Sequence, residues 1–304
     1  MLRSLFIGLS RNVALRRWAE QSRRGRRLAS RFVAGLTVGD AVSVCRRVNA
    51  EGIAVSLDSL GESVTTEAQA GAAAEVYHRV LGEIAAGRLN ANISLKLTQM
   101  GVDLRPDLAE QIVAGIVERA AVSKLFVRID MEGSNYTETT IAMTERLHAR
   151  FPGVVGTVLQ AYLYRTAQDT ERLLRQGIRI RLCKGAYKEP AGLAFPHKSD
   201  VDANYVSLMK RVVASGVFCG IATHDEVIVH EMLGFVREKG IPSDAFEFQM
   251  LYGVRRDLQR RLAKSGFRVR VYVPFGNAWY PYFMRRLAER PANLTFLMKN
   301  MLRS

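Results

Sequence analysis

Cysteine is scarce in this chain, with only 3 in 304 residues. Cys45, Cys183 and Cys219 show no C-x-x-C spacing and no neighbouring histidine cluster. That excludes a disulfide framework and a zinc site, and it points to a reducing compartment. Long hydrophobic runs are also missing. No apolar stretch reaches the eighteen or so residues a membrane-spanning helix needs, although 48% of the chain is hydrophobic, ample for a sizeable core. No convincing Ser–His–Asp or Cys–His arrangement is present, and there is no glycine-rich phosphate turn: residues 58 to 62 read Asp-Ser-Leu-Gly-Glu. Acidic residues are few, 29 against 44 lysines and arginines, for a formal charge of +15.

The placement of that charge limits its meaning. The first 47 residues hold eleven arginines against only Glu20 and Asp40, densest in Arg-Arg-Gly-Arg-Arg at 23 to 27. Leu2, Leu5, Phe6, Leu9, Val13 and Trp18 recur at roughly helical spacing, so an amphipathic helical arm is expected over residues 1–50. Three roles stay open for it: a mitochondrial transit peptide, a peripheral contact with anionic lipid, or a solvated arm packed on the domain. No aromatic–basic interleaving, zinc finger or helix-turn-helix signature accompanies the charge, so no nucleic-acid partner is expected.

From residue 51 to 304 the chain repeats one unit: a short β-branched run, a polar loop, then a stretch of helical periodicity. The strands are expected at Ile53–Asp58, Asn92–Leu97, Leu125–Asp130, Val154–Gln160, Ile178–Cys183, Val217–Ala222, Ala245–Met250 and Arg268–Val273. Helices are expected at Thr66–Ala86, Pro106–Ala121, Thr137–Arg150, Asp200–Ala214 and Asp225–Lys239, among other intervening stretches. Alternating β and α elements imply parallel βα units, and eight over about 250 residues is the count for a closed (β/α)8 TIM-type barrel. A doubly wound open sheet is the alternative.

Chemistry in such barrels sits at the C-terminal ends of the strands. Here those ends read Asp58, Lys96, Asp130, Gln160, Arg181 with Lys184, Thr223 with His224, Gln249 and Tyr272, polar at every position. Strand parity sharpens the pattern. Val127 and Ile129 alternate with Arg128 and Asp130, and Ile180 and Leu182 with Arg179 and Arg181. If the apolar set faces the helices, the charged set faces the barrel axis, where charges are costly unless paired or used. After the eighth strand, a helix begins near Pro281 and stops at Pro291, placing Tyr282, Arg285, Arg286 and Glu289 on one face. Two guanidiniums beside a phenol suit a carboxylate ligand, and an exposed Arg285–Glu289 pair is the plainer reading. Lys96, Arg181, Lys184, Arg285 and Arg286 outnumber Asp58, Asp130 and Glu289, so the cavity favours anions.

The strings Ser94-Leu-Lys-Leu-Thr, Arg128-Ile-Asp-Met-Glu, Arg181-Leu-Cys-Lys-Gly-Ala-Tyr, Ala222-Thr-His, Phe248-Gln-Met-Leu, Tyr272-Val-Pro-Phe-Gly and Tyr282-Phe-Met-Arg-Arg-Leu-Ala-Glu resemble the flavin-dependent proline dehydrogenases, in their short monofunctional bacterial branch. The resemblance runs from about Arg31 to Phe296, in the family's order. It implies FAD-linked oxidation of L-proline to Δ1-pyrroline-5-carboxylate by hydride transfer to the flavin N5, with electrons passed to a membrane quinone and the product to a pyrroline-5-carboxylate dehydrogenase. By position, Asp130 and Arg181 take catalytic places. Lys96, Ala186, Tyr187, Leu251, Tyr272, Tyr282, Arg285, Arg286 and Glu289 surround the substrate. Met131, Gln160, Arg181, Lys184, Gly185, Ala186, Ala222, Thr223, His224, Gln249 and Phe296 hold FAD. No metal is implied. The expected location is cytoplasmic, peripheral on the inner face of the membrane, with the mitochondrial matrix as runner-up. The rival reading is an aldolase using Lys96 as a Schiff-base amine, which needs a depressed lysine pKa. His224 could equally be a core histidine satisfied by hydrogen bonds.

Overall fold

In the computed structural model the described residues are 29 to 289 together with Ser22 and Gly25, and for residues 285 to 289 the backbone alone. The expected arm before residue 22 and Phe296 fall outside them. Eight parallel strands close into one barrel in chain order. They are β1 (Ala54–Ser59), β2 (Ala91–Leu95), β3 (Val127–Ile129), β4 (Val155–Gln160), β5 (Arg179–Cys183), β6 (Cys219–Ala222), β7 (Phe246–Leu251) and β8 (Val269–Phe275). The helices are α1 (Val38–Ala50), α2 (Glu67–Ala86), α3 (Pro106–Val122), α4 (Thr137–Arg150), α5 (Thr166–Leu174), α6 (Lys198–Ala214), α7 (Glu226–Lys239), α8 (Arg256–Lys264) and α9 (Trp279–Glu289).

Local chemistry sets the helix starts. Thr37 and Asp40 form a reciprocal capping box on α1, Thr66 caps α2, Pro106 occupies the first turn of α3, and Asp225 caps α7. Gly240, left-handed at φ 63°, ends α7. The apolar parity set of the strands, including Val127, Ile129, Ile180 and Leu182, is fully buried in the core that the helices cover. Most strand boundaries fall within two residues of those expected. β3 is shorter, with Leu125 and Phe126 left half-buried ahead of it.

Two departures from a plain barrel position the site. Helix α1, grouped with the arm in the sequence reading, packs against β8, β1 and α2, with Ala41, Val44 and Cys45 in the main core. It thus fills the wall after β8. Helix α9 instead joins a second apolar cluster: Trp279, Tyr280, Tyr282, Phe283 and Met284 with Leu60, Val254 and the segment Ala29, Phe32 and Val33. Leu60 follows β1 and Val254 follows β7, so α9 lies over the C-terminal end of the barrel. It starts two residues before Pro281.

Candidate active site at the C-terminal end of the barrel

Register places the polar parity set inside. Ser56 pairs with Tyr272, Asp58 with Ser94, Ser94 with Arg128, and Arg181 with Gly220. The resulting side chains form one hydrogen-bonded network. Arg181 Nη1 donates to Asp130 Oδ1 at 2.7 Å, its Nη2 to Ser94 Oγ at 3.2 Å and Ser56 Oγ at 3.4 Å, and its Nε to Gln249 Oε1. The Tyr272 hydroxyl donates to Asp130 Oδ2 at 2.8 Å, and the Arg181 guanidinium lies 5.3 Å from the Tyr272 ring centre. Lys96 Nζ sits 3.1 and 3.2 Å from the two Asp58 oxygens and 3.4 Å from the Tyr272 hydroxyl. Asp58 is fully buried, and the Tyr77 hydroxyl reaches it from α2 at 3.4 Å. Gly220 makes room for this packing, since a Cβ there would stand 2.3 Å from Gln249 Nε2.

Each buried charge in the upper barrel therefore has a partner, as burial requires. Burial alone would lower the Lys96 pKa, but the nearby carboxylates of Asp58 and Asp130 outweigh it, and the net shift is upward. A lysine held cationic is a poor amine nucleophile, which argues against the Schiff-base reading.

Around the rim, the loops after β3 to β7 converge. Gln160 Nε2 donates to the Glu132 carbonyl at 3.2 Å, while its Oε1 is buried with no partner. Glu132 accepts from Thr98 N at 3.1 Å and Oγ1 at 2.6 Å. Lys184 pairs with Asp202 at 2.5 Å and with Asp225 at 3.1 Å, so the carboxylate that caps α7 also anchors the β5–α6 loop. Gly185 has φ +113°, and a Cβ on it would meet the Tyr162 ring at 2.2 Å. Farther along that loop, Glu189 accepts from Ser134 N at 2.9 Å and Ser134 Oγ at 2.5 Å, tying the β5–α6 loop to the β3–α4 loop. Thr223 N donates to the Gln249 carbonyl at 3.2 Å, and His224 Nε2 accepts from Leu251 N at 2.9 Å. An accepting Nε2 puts the proton of a neutral His224 on Nδ1.

The expected residues thus fall into three groups. Lys96, Asp130, Arg181, Gln249 and Tyr272 share one network, while Leu251 packs against the cluster that contains Tyr282. Met131, Gln160, Lys184, Gly185, Ala186, Ala222, Thr223 and His224 stand at the ends of β3 to β6 or just past them; Tyr187, on the same loop as Gly185, is 40% exposed. The Arg285, Arg286 and Glu289 side chains lie outside the described residues. Sequence reasoning did not single out Ser56, Tyr77, Tyr162, Glu189 or Glu247. Ser56 and Glu247 carry the inward parity and were findable from it; Tyr77 and Tyr162 come from a helix and a loop and carry no such mark.

Residues 41–299 match the family model described as Proline dehydrogenase. The chain belongs to the proline dehydrogenase family. It is 43% identical to Proline dehydrogenase 1 of Bacillus subtilis (strain 168) over 304 residues, covering 100% of both chains. It is 40% identical to Proline dehydrogenase of Deinococcus radiodurans over 280 residues, 91% of this chain and 90% of that one. These relatives place it with the short, monofunctional members of the proline dehydrogenase family. The crystal structure of proline utilization A (PutA) from Bdellovibrio bacteriovorus inactivated by N-propargylglycine shares the fold, with TM-score 0.82 and 22% identity over 87% of this chain. This chain covers 33% of that longer one.

Among the described residues no group of three or more His, Cys, Asp or Glu could hold a metal ion, and no helix is long and apolar enough to cross a membrane.

Proposed function

We propose that this chain oxidises L-proline at the ring carbon next to nitrogen, giving Δ1-pyrroline-5-carboxylate, with FAD as its cofactor. The observation that carries the reading is the upper-barrel network: a cationic Lys96, an anchored Arg181 and the Tyr272 ring, all turned into the upper barrel. Family membership supports the same substrate. The rim fits a flavin dinucleotide in two respects. Gln160 Oε1 is a buried acceptor facing no protein donor, and Gly185, at φ +113° against the Tyr162 ring, turns the backbone of the β5–α6 loop at the rim in a way no other residue could. Gln160, Lys184, Gly185, Ala186, Ala222, Thr223, His224 and Gln249 would hold it, with Met131 beside them and Phe296 in the same role beyond the described residues.

When bound, FAD would supply the acceptor for one hydride, which carries both electrons of the oxidation. The chain supplies position and charge. Lys96, kept protonated, attracts the substrate carboxylate, and Arg285 and Arg286 complete the clamp in this proposal. Tyr272, its hydroxyl fixed by Asp130, walls the proline ring, with Leu251, Tyr282, Ala186 and Tyr187 as further lining and Glu289 as an arginine partner. Arg181 cannot swing away, being held by Asp130, Gln249 and two serines, and it offers positive charge where reduction builds negative charge.

The same proposal has a membrane quinone take the electrons, with the enzyme cytoplasmic and the basic residues before 31 docking on anionic lipid. A pyrroline-5-carboxylate dehydrogenase consumes the product. The test is direct. The purified protein should be yellow, and anaerobic L-proline should bleach its flavin band. Colourless protein whose Lys96 is trapped by borohydride with a carbonyl substrate would refute the proposal and restore the aldolase reading.

A further inference from the structure

The opposite end of the barrel holds a second collection of charges that proline oxidation leaves unused. A cavity of about 140 Å³ opens there, lined by Asn92, Lys124, Phe126, Arg128, Arg179, Phe218, Glu247 and Arg270 among others. Four cations thus face one carboxylate. Glu247 is already engaged, accepting from Arg270 Nε at 2.7 Å and from Gln249 Nε2 at 2.5 Å. Arg128 is 2% exposed and spends Nη1 on the carbonyls of Thr157 and Arg179 at 2.9 and 3.1 Å, yet its Nε is buried without a partner. Asn92, 5% exposed, has an equally unpartnered Oδ1. The Arg179 guanidinium lies between Phe126 and Phe218, 5.3 and 5.5 Å from their ring centres. The rings hold it at the mouth but give it no hydrogen-bond acceptor.

A buried donor and a buried acceptor left unsatisfied in one small cavity are each costly. A ligand that accepts from guanidiniums and donates to an amide oxygen would relieve both. We propose that this N-terminal mouth of the barrel binds a small protonated oxyanion of the phosphate type, between Arg128, Arg179 and Asn92. The volume admits one such tetrahedral group, being roughly that of four or five waters of liquid. A hydrogen phosphate offers charged oxygens to the arginines and a P–OH to Asn92 Oδ1. Sulfate offers only the former. Burial and repulsion from Arg181 press the Arg128 pKa down to about 9, a strain that an adjacent anion removes.

The test uses the flavin-loaded protein in chloride buffers matched for ionic strength. Inorganic phosphate should raise the Tm saturably, beyond sulfate, with one site by calorimetry. Arg179→Gln should weaken phosphate binding by about 10- to 100-fold, since a charge-assisted hydrogen bond is lost. Asn92→Asp, which sets a carboxylate in the mouth, should abolish it. Both variants should keep the wild-type proline KM without phosphate. If Arg179→Gln does not fold, Asn92→Asp decides. Phosphate acting no better than chloride, or equally well on the variants, overturns the proposal; the latter places the anion elsewhere, as in the carboxylate site at the other end.

Discussion

Arg181 is the residue on which most of the upper barrel turns. It joins strands β1, β2, β3, β5 and β7 through Ser56, Ser94, Asp130 and Gln249. Replacing it with methionine leaves Asp130 with Tyr272 alone in a buried site, a loss of about 3–5 kcal/mol for a broken buried pair. If Arg181 also balances the reduced flavin, as proposed, Arg181→Met should lower the flavin midpoint potential. Spectroelectrochemical titration checks this, and an unmoved potential would reduce Arg181 to a structural partner of Asp130. Lys96 has a different task. Lys96→Met should raise the proline KM by about 10- to 100-fold while leaving the potential near wild type if, as proposed, its charge serves the substrate. Saturating proline should then restore the rate of flavin bleaching for Lys96→Met and not for Arg181→Met.

At the scale of elements, two segments decide whether the rim keeps its shape. The β5–α6 loop is held at three places: Lys184 to the start of α7, Gly185 against Tyr162, and Glu189 to the loop before α4. Gly185→Ala adds both a disfavoured backbone conformation and a collision with a ring that is 8% exposed, about 1–3 kcal/mol from the backbone alone. It should lose flavin on dialysis well before it unfolds, and equal flavin retention would dissociate this loop from the cofactor. The other segment is the strap before α1. Phe32 is fully buried, with its ring 6.1 Å from that of Phe283, and Ala34 N donates to the Pro274 carbonyl at 2.9 Å. Phe32→Ala should cost about 3–5 kcal/mol of packing beneath α9. Limited proteolysis should then cut first around α9. For the same reason a truncation that removes residues 29–33 should lose proline affinity, whereas one ending before residue 22 should keep it.

Across the whole molecule, the outer helices are laced by arginine–carboxylate pairs: Arg146 with Glu110, Arg165 and Arg172 with Glu138, and Arg172 with Glu145. Hydrogen bonds from these arginines hold the Glu110, Glu138 and Glu145 pKa values below normal. A depressed carboxylate stabilises the fold at pH above its unfolded value, near 4.3, and loses that contribution as pH falls through the lower folded value. The Tm should therefore hold from neutrality to about pH 5 and fall below about pH 4.3, and 1 M salt should shrink that step. A Tm already falling between pH 7 and 5 would show another group in control. Exposed pairs contribute modestly one by one, so the network is what the measurement reads.

The sequence alone determined the barrel. Eight β-branched runs alternating with helical stretches leave few topologies, and Arg128/Asp130 against Val127/Ile129 already told which face turns inward, because a strand has a period of two. It also placed the polar residues at the strand ends, and short motifs there carried the family resemblance. What tertiary structure decided was pairing and coverage. That Lys96 meets Asp58 rather than Asp130 depends on barrel stagger, which no single strand encodes. Tyr77 and Tyr162 enter the site from a helix and a loop whose local periodicity gives no hint of it. Helix α1, which read as part of a basic arm, closes the barrel wall because the helix that follows β8 is drawn over the top by Leu60, Val254 and Phe32. Local preferences set each helix and strand, but the apolar surfaces that choose a helix's neighbour come from residues up to about 250 positions away, and only the closed fold brings them together.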